Sequence, residues 1–319
     1  MNSVDLQVET DSVSVQARPC IVAVIPAYNE ERFIGSVVLR ALRYVDAVLV
    51  VDDGSTDGTA DTAAAAGATV VCHGDNQGKG CALNTGFRRV CELDPRAIVL
   101  LDGDGQHRPE EIPIVIEPIL RGEADVVAGS RYSQQHDNVP RHRRVGHWAF
   151  TTLTNLASGT PLSDSQNGFR AFSARAVEAI AFSSKGFSVE SEMQFLFRDL
   201  GLRVVEAPVT TLYQDKPKRN VFVHGLQVLN GVVRLVGQYR PLLFFGLPGA
   251  VVLFAGLAWG LWVVDVFRRN AALAVGYAMI SVLLTMLGTL TLFTGVTLHS
   301  IRAMFRDNAH LRGQHDRSR

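Results

Sequence analysis

Two carboxylates one residue apart, Asp102 and Asp104, follow directly on the apolar run Ala97-Ile98-Val99-Leu100-Leu101. The run is short and β-compatible, so it predicts a buried strand with the pair leaving its C-terminal end. Open α/β sheets bind their ligands at such ends. Gly103, between the two, lets backbone or ligand approach closely. Carboxylates this close repel each other unless a cation sits between them. A hard divalent ion, Mg2+ or Mn2+, bound also to a ligand's phosphate oxygens, suits the pair. Taken alone, D-x-D also describes a solvated turn, so its surroundings must decide.

Three further strand-like runs end in polar elements. The first ends in Ile25-Pro26-Ala27-Tyr28-Asn29-Glu30 and the second in Val50-Val51-Asp52-Asp53-Gly54-Ser55-Thr56-Asp57. The third precedes Asn76-Gln77-Gly78-Lys79-Gly80, and the fourth delivers Asp102 through His107. Turns need Gly, Asn or Asp, but not a carboxylate at the end of three strands. Convergence of these elements in one crevice predicts a nucleotide site. The Gly78-Lys79-Gly80 element is not a phosphate loop of the G-x-x-x-x-G-K-[ST] kind, and no G-x-G-x-x-G follows the first strand. ATPase and dinucleotide dehydrogenase chemistry are disfavoured.

The elements that must position these groups alternate between strand and helix from residue 20 to about 215. Cys20–Ile25, Ala47–Val51, Thr69–Val71, Ile98–Leu101 and Asp125–Ala128 read as strands. Glu30–Tyr44 and Ala60–Ala66 read as helices. This order predicts an α/β fold with a mostly parallel, doubly wound sheet and helices on both faces. Residues 1–19 lack an apolar h-region and read as a mobile tail rather than a signal peptide. The 31 Lys and Arg balance 31 Asp and Glu, leaving no basic field for nucleic acid. Cys20, Cys72, Cys81 and Cys91 have no metal spacing and read as small buried hydrophobes. Oligomeric state is not legible.

From Leu242 the composition changes. Residues 242–264 and 271–298 carry no charge, and each run is long enough to cross a bilayer. With the connector 265–270 they predict a two-helix transmembrane hairpin. Arg234, Arg240 and the basic tail 301–319 lie on one side of it, Arg268 and Arg269 on the other, which favours a cytosolic globular domain. Residues 220–240 are amphipathic at helical spacing, predicting a helix either lying on the bilayer or packed on the globular domain.

As an ordered set, P-A-Y-N-E, V-V-D-D-G-S-T-D-G-T, N-x-G-K-G, L-D-G-D-G-Q-H and Gly168-Phe169-Arg170 resemble the GT-A glycosyltransferases of family 2. The likeness covers roughly residues 20–240 and is nearest to the branch of dolichyl-phosphate mannose synthases and other polyprenyl-phosphate glycosyltransferases. It implies an inverting transfer of a hexose from a nucleotide sugar, of GDP-mannose or UDP-glucose type, to a polyprenyl or dolichyl phosphate. Pro26, Tyr28 and Glu30 would line the nucleoside pocket, with Val51 and Asp53 reaching base or ribose. Asp102 and Gly103 would touch ribose and phosphate, and Asp104 and Gln106, with Asp102, would hold the Mg2+ or Mn2+. Tyr28 could instead be an ordinary half-buried aromatic, but its place at a strand end favours the pocket. Lys79 would pair with Asp53 or Asp104, or lie near the nucleotide.

Arg131, Arg144, Arg170 and Arg219 are the cations available for the leaving diphosphate and the acceptor phosphate, whereas Arg141 and Arg143 read as surface charges. Asp164 matches an acidic position ahead of Gly168-Phe169-Arg170 and would act as a base or an orienting group. Glu190 and Glu192 are further candidates, or simply the start of a capped helix. The alternatives are a membrane-bound transferase acting on a saccharide hydroxyl and a non-catalytic membrane subunit that binds nucleotide sugars.

Overall fold

The computed structural model describes residues 21–132, 141–183, 189–212, 230, 233–234, 236–270 and 275–316, without the side chains of 141–147, 270 and 305–316. Predictions about the tail 1–19, Arg219, most of 220–240 and the side chain of Arg144 lie outside the described residues.

Strands β1 (Ile21–Ala27), β2 (Ala47–Asp52), β3 (Thr69–Cys72), β4 (Ala97–Leu100) and β5 (Val126–Ser130) stand where the apolar runs predict them. Two short strands, β6 (Arg170–Ser173) and β7 (Val204–Pro208), were not predicted. Among the described residues the sheet runs β3-β2-β1-β4-β6-β5-β7. All neighbours pair in parallel except β6, which is antiparallel to both β4 and β5.

The apolar runs do not alternate with polar residues because helices cover both faces. On one face Ala23, Ile25, Val50 and Val99 pack against Ile34 and Val38 of α1 (Glu31–Ala41), Ala63 of α2 (Thr59–Ala65), and Ile112 and Val115 of α4 (Ile112–Leu120). On the other, Val22, Val24, Ile98 and Leu100 meet Leu83 and Phe87 of α3 (Lys79–Cys91), Val177 of α6 (Ala174–Ala179), and Met193 and Phe197 of α7 (Val189–Asp199). Helix α5 (Arg141–Ser158) joins β5 to the loop before β6. The expectation that the cysteines are buried does not hold: Cys72, at the end of edge strand β3, and Cys91, at the end of α3, are exposed.

A π-turn over Leu242–Gly246 opens α8 (Leu247–Asn270), which packs along α9 (Val275–Asp316). The residues 265–270, expected to form a connector, are instead the last turns of α8, where Arg269 pairs with Asp265 at 2.9 Å. The segment after residue 300, expected to be a tail, continues α9 to Asp316. Glycines let the two backbones touch. A Cβ on Gly249 would lie 2.4 Å from Leu292 N, and one on Gly288 2.3 Å from Leu253 N. Such seams of small residues pack helices in lipid, where no hydrophobic force separates helix from solvent. The segments Leu242–Arg269 and Val275–Met304 are long and apolar enough to cross a membrane.

Candidate active site

Strands β1 and β4 are neighbours, yet the chain runs outward from them in opposite directions along the sheet. The crevice at their carboxyl ends is therefore the topological switch point. Asp102 and Asp104 emerge there. Gly103 between them is buried, and a Cβ on it would meet Ala27 and Ile34 at 3.3 and 3.4 Å. Gly105 turns the chain with φ 73°, and Asp104 Oδ1 accepts from the Gln106 amide at 3.0 Å. His107 Nδ1 accepts from the Asp102 amide at 3.2 Å, and its ring stacks on Phe169 at 5.4 Å.

Antiparallel β6 starts at this same end of the sheet, with Arg170 opposite Leu100. The residue before Phe169 must therefore pass Asp102. It is Gly168, and a Cβ there would lie 2.5 Å from Asp102 Oδ2.

Lys79, the first residue of α3, donates from Nζ to Asp102 Oδ1 and to Glu190 Oε1, both at 2.6 Å. Its predicted partners were Asp53 or Asp104; the structure gives it Asp102 and Glu190. Burial opposes the ammonium, but the two carboxylates outweigh it and raise the Lys79 pKa. Burial likewise favours the neutral form of Asp102, but Lys79, helped by His107, outweighs it and holds that carboxyl at about 2. Asp104 is raised instead, by burial and then by the Asp102 charge. The pair is thus one firmly ionised carboxylate beside one that its neighbour discourages from ionising. Two neighbouring buried carboxylates split in this way, and a divalent cation held between them would favour the ionised form of both.

Asp53 is 3% exposed, and its carboxylate accepts from the Gln77 amide at 3.0 Å and the Gly78 amide at 2.7 Å. His73 Nδ1 lies 2.8 Å from the same group. Asp53, expected to reach base or ribose, thus also shapes the loop that launches Lys79. Val51 is wholly buried and faces Gly86 on α3, so it backs the site and does not line it with its side chain. Tyr28 is 40% exposed, Pro26 and Glu30 are half-buried, and Gln106 is exposed. The Glu30 amide donates to Thr59 Oγ1 at 2.8 Å, and Asn29 and Thr56 are joined at 2.9 Å, so the ends of β1 and β2 are tied together.

Arg131 follows β5 and grips Asp164 with two parallel bonds, Nε to Oδ2 at 2.5 Å and Nη2 to Oδ1 at 2.7 Å. Asp164 is wholly buried. Of its two open roles, the geometry carries the orienting one, toward Arg131. Arg170 is also wholly buried, which corrects its expected place as a phosphate ligand. Its guanidinium donates to the carbonyls of Ser165 at 2.8 Å, Asn167 at 3.0 Å and Glu190 at 3.3 Å, and meets Met193 Sδ at 3.1 Å. It is a strut between the loop before β6 and the start of α7. Linear sequence carries no signal for Glu190 as the partner of Lys79, since 111 positions separate them.

Among the described residues no three His, Cys, Asp or Glu side chains converge as a ready-made metal cage. Asp102 and Asp104 supply two hard oxygen ligands, and magnesium-type sites commonly take the rest from substrate phosphates and water. The donor set fits a divalent ion that arrives with a diphosphate.

A sequence model of "Glycosyl transferase family 2" matches residues 22–181. The undecaprenyl-phosphate mannosyltransferase of Micrococcus luteus is 38% identical over 210 residues, covering 61% of this chain and 84% of the relative. The UDP-N-acetylglucosamine–dolichyl-phosphate N-acetylglucosaminyltransferase of Methanococcus voltae is 31% identical over 217 residues, covering 61% and 86%. Among solved structures, glucosyl-3-phosphoglycerate synthase of Mycobacterium tuberculosis, in complex with Mn2+, UDP and glucosyl-3-phosphoglycerate, matches with a TM-score of 0.55 at 26% identity over 69% of this chain and 80% of that one. The GT-A-like sheet, the carboxylate pair at its switch point and these relatives agree: the chain belongs to glycosyl transferase family 2 and is a metal-dependent glycosyltransferase.

Proposed function

We propose that the chain transfers a hexose with inversion, from a nucleotide sugar of GDP-mannose or UDP-glucose type to a polyprenyl or dolichyl phosphate at the cytosolic face of a membrane. The observation that carries this reading is the joining of a strand-end carboxylate site to two apolar helices, the second tied to α7 through Arg302 and the first preceded by Arg240, which is bonded to the end of α5. A soluble acceptor would not require that attachment. The arginine distribution, Arg234, Arg240 and Arg302 on the domain side against Arg268 and Arg269, supports the orientation.

In the proposed step an oxygen of the lipid phosphate attacks the anomeric carbon. The bond from that carbon to the diphosphate oxygen breaks, and the nucleoside diphosphate leaves with the electron pair. A phosphomonoester, with a second pKa of about 6, is mostly dianionic near pH 7. No proton has to be removed from it, which suits a site whose Asp164 is committed to Arg131. A divalent ion at Asp102, Asp104 and Gln106 would neutralise charge growing on the diphosphate. Pro26, Tyr28 and Glu30 are assigned to the nucleoside, Gly103 to the ribose and phosphate, and Arg131, Arg144 and Arg219 to the phosphates. Lys79 orients Asp102 from behind.

The test is incubation of the detergent-solubilised chain with radiolabelled GDP-mannose or UDP-glucose, Mn2+ or Mg2+, and a polyprenyl phosphate. Label should enter the organic phase and vanish with Asp104→Ala or without metal. Sugar released independently of lipid would replace transfer with hydrolysis. Metal-dependent donor binding without any turnover would favour a binding subunit.

A further inference from the structure

Among the described residues, polar and ring contacts join the membrane hairpin and the segment before it to the catalytic unit. Arg302, on α9, pairs with Asp199 at the C-terminal end of α7. The same guanidinium donates to the Gln238 carbonyl at 3.2 Å and lies 4.3 Å over the Tyr239 ring. Tyr239 packs on Phe195 of α7 at 4.9 Å, and its hydroxyl donates to Glu192 at 3.4 Å. Arg240 donates to the carbonyls of Ala157 and Ser158 at 2.9 and 3.1 Å, capping the end of α5.

These contacts stand at one level of the hairpin. The seam closes where a Cβ on Gly295 would meet Gly246 N at 2.6 Å. Arg302 lies seven residues past Gly295 on the same helix, so it sits roughly 10 Å beyond the seam at about 1.5 Å per residue, and its bond to the Gln238 carbonyl brings the 238–240 segment to that level. At the far end Trp259, Trp262 and Tyr277 form one aromatic cluster, with ring centroids 5.3 to 6.2 Å apart. Such belts mark a membrane–water boundary. Arg302 is therefore placed at the opposite boundary, where an arginine keeps its charge in the headgroup layer.

Helix α7 connects this level to the site. Asp199 ends it, and Glu190, at its start, holds Lys79 and thereby Asp102. An 11-residue helix is about 16 Å long, and Val189, Met193 and Phe197 anchor it in the core of the sheet, so a change at Asp199 tilts the catalytic unit as a whole and leaves the geometry of the site itself intact.

We infer that Arg302 is a positioning residue: by holding Asp199 and Tyr239 it fixes the catalytic unit over the bilayer, so that transfer to a membrane-embedded phosphate acceptor depends on it and transfer to a water-soluble one does not. This rests on the acceptor reading above. Misalignment of reacting groups by about 1 Å can cost roughly 100-fold in rate. A soluble acceptor diffuses to the site whatever the angle between domain and membrane.

The experiment uses the full chain reconstituted in phosphatidylcholine–phosphatidylglycerol vesicles. Transfer is measured to undecaprenyl phosphate in the bilayer and to citronellyl phosphate in solution. Arg302→Ala and Asp199→Ala should each lower kcat/KM for the vesicle acceptor roughly 10-fold or more and leave the soluble acceptor within about 2-fold. Arg302→Lys, which keeps the charge, should recover part of the loss. An equal fall with both acceptors, or no fall, overturns the inference. Hydrogen exchange on the same vesicles gives a readout that needs no turnover. Amides of 236–240 and 196–200 should lose protection in Arg302→Ala while those of β1 and β4 keep theirs; unchanged protection overturns the inference. A wild-type chain that transfers to neither acceptor sinks the acceptor reading instead, and the exchange result then still decides the role of Arg302.

Discussion

Replacing Gly168 by alanine tests the geometry of the carboxylate pair directly. The new Cβ would stand 2.5 Å from Asp102 Oδ2 and 3.0 Å from both Cγ and Oδ1. Carbon and oxygen rarely approach below about 3.3 Å, so roughly 0.8 Å of overlap must be relieved. The carboxylate is the end of a side chain and would ordinarily swing away. Here Oδ1 is held by Lys79 at 2.6 Å, and the Asp102 amide is bonded to His107. Moving it gives up a hydrogen bond to a charged group, worth about 1.5–3 kcal/mol. At about 1.4 kcal/mol per decade this is roughly 10- to 100-fold in an equilibrium constant. Gly168 has no left-handed φ, so alanine there adds no backbone strain. The assay is Mn2+-dependent binding of nucleotide sugar by calorimetry, together with thermal unfolding. Gly168→Ala should lower the unfolding free energy by about 1.5–3 kcal/mol, and it should weaken binding because a displaced Asp102 no longer presents its oxygens beside Asp104. Gly74→Ala, where a Cβ meets nothing within 4 Å, should bind as wild type. Unaltered binding by Gly168→Ala would refute the claim that Asp102 is fixed against the loop before β6.

Three other substitutions have distinct signatures. Lys79→Met removes the ammonium that holds Asp102 at about 2; burial and the neighbouring carboxylates then raise that pKa, so the low-pH limit of Mn2+ binding, followed by titration, should move upward. In the wild type the depressed Asp102 adds stability that is complete above its ordinary 3.8 and lost as pH falls through about 2, and the variant should lack this acid-side contribution in unfolding midpoints taken against pH. Arg170→Ala should destabilise the fold by roughly 3–5 kcal/mol through an emptied core site and unpaired carbonyls, with Arg170→Lys a poor rescue because one ammonium cannot replace the guanidinium fork; a stable variant that loses only phosphate affinity would return Arg170 to the ligands. Asp164→Asn should loosen Arg131 and raise the acceptor KM roughly 10-fold while keeping the acid limb of the pH–rate profile, whereas disappearance of that limb would mark Asp164 as a base.

Local patterning made much of this legible. The apolar runs that became β1, β2, β4 and β5 are continuous because both sheet faces are covered, and that continuity is visible in the residues themselves. The strand-end carboxylates follow from the same runs, since a ligand site at the carboxyl edge is a property of parallel sheets. The two uncharged segments after Leu242 declare themselves by length alone. Strands β6 and β7 escaped notice because each is short and takes its identity from pairing, with β6 inserted antiparallel between β4 and β5. That insertion brings Gly168 against Asp102 and buries Arg170, which a motif ending in arginine makes look like a ligand. Residues of one type thus separate into different work by long-range placement. Arg131 grips a buried aspartate beside the crevice, Arg170 braces a loop in the core, and Arg302 clasps the end of α7. Composition and period determine which segments are buried and where a chain must turn, because those depend on neighbours a few residues away. Which lysine faces which carboxylate depends on partners 23 and 111 positions distant, and only the packed sheet and helices bring those together.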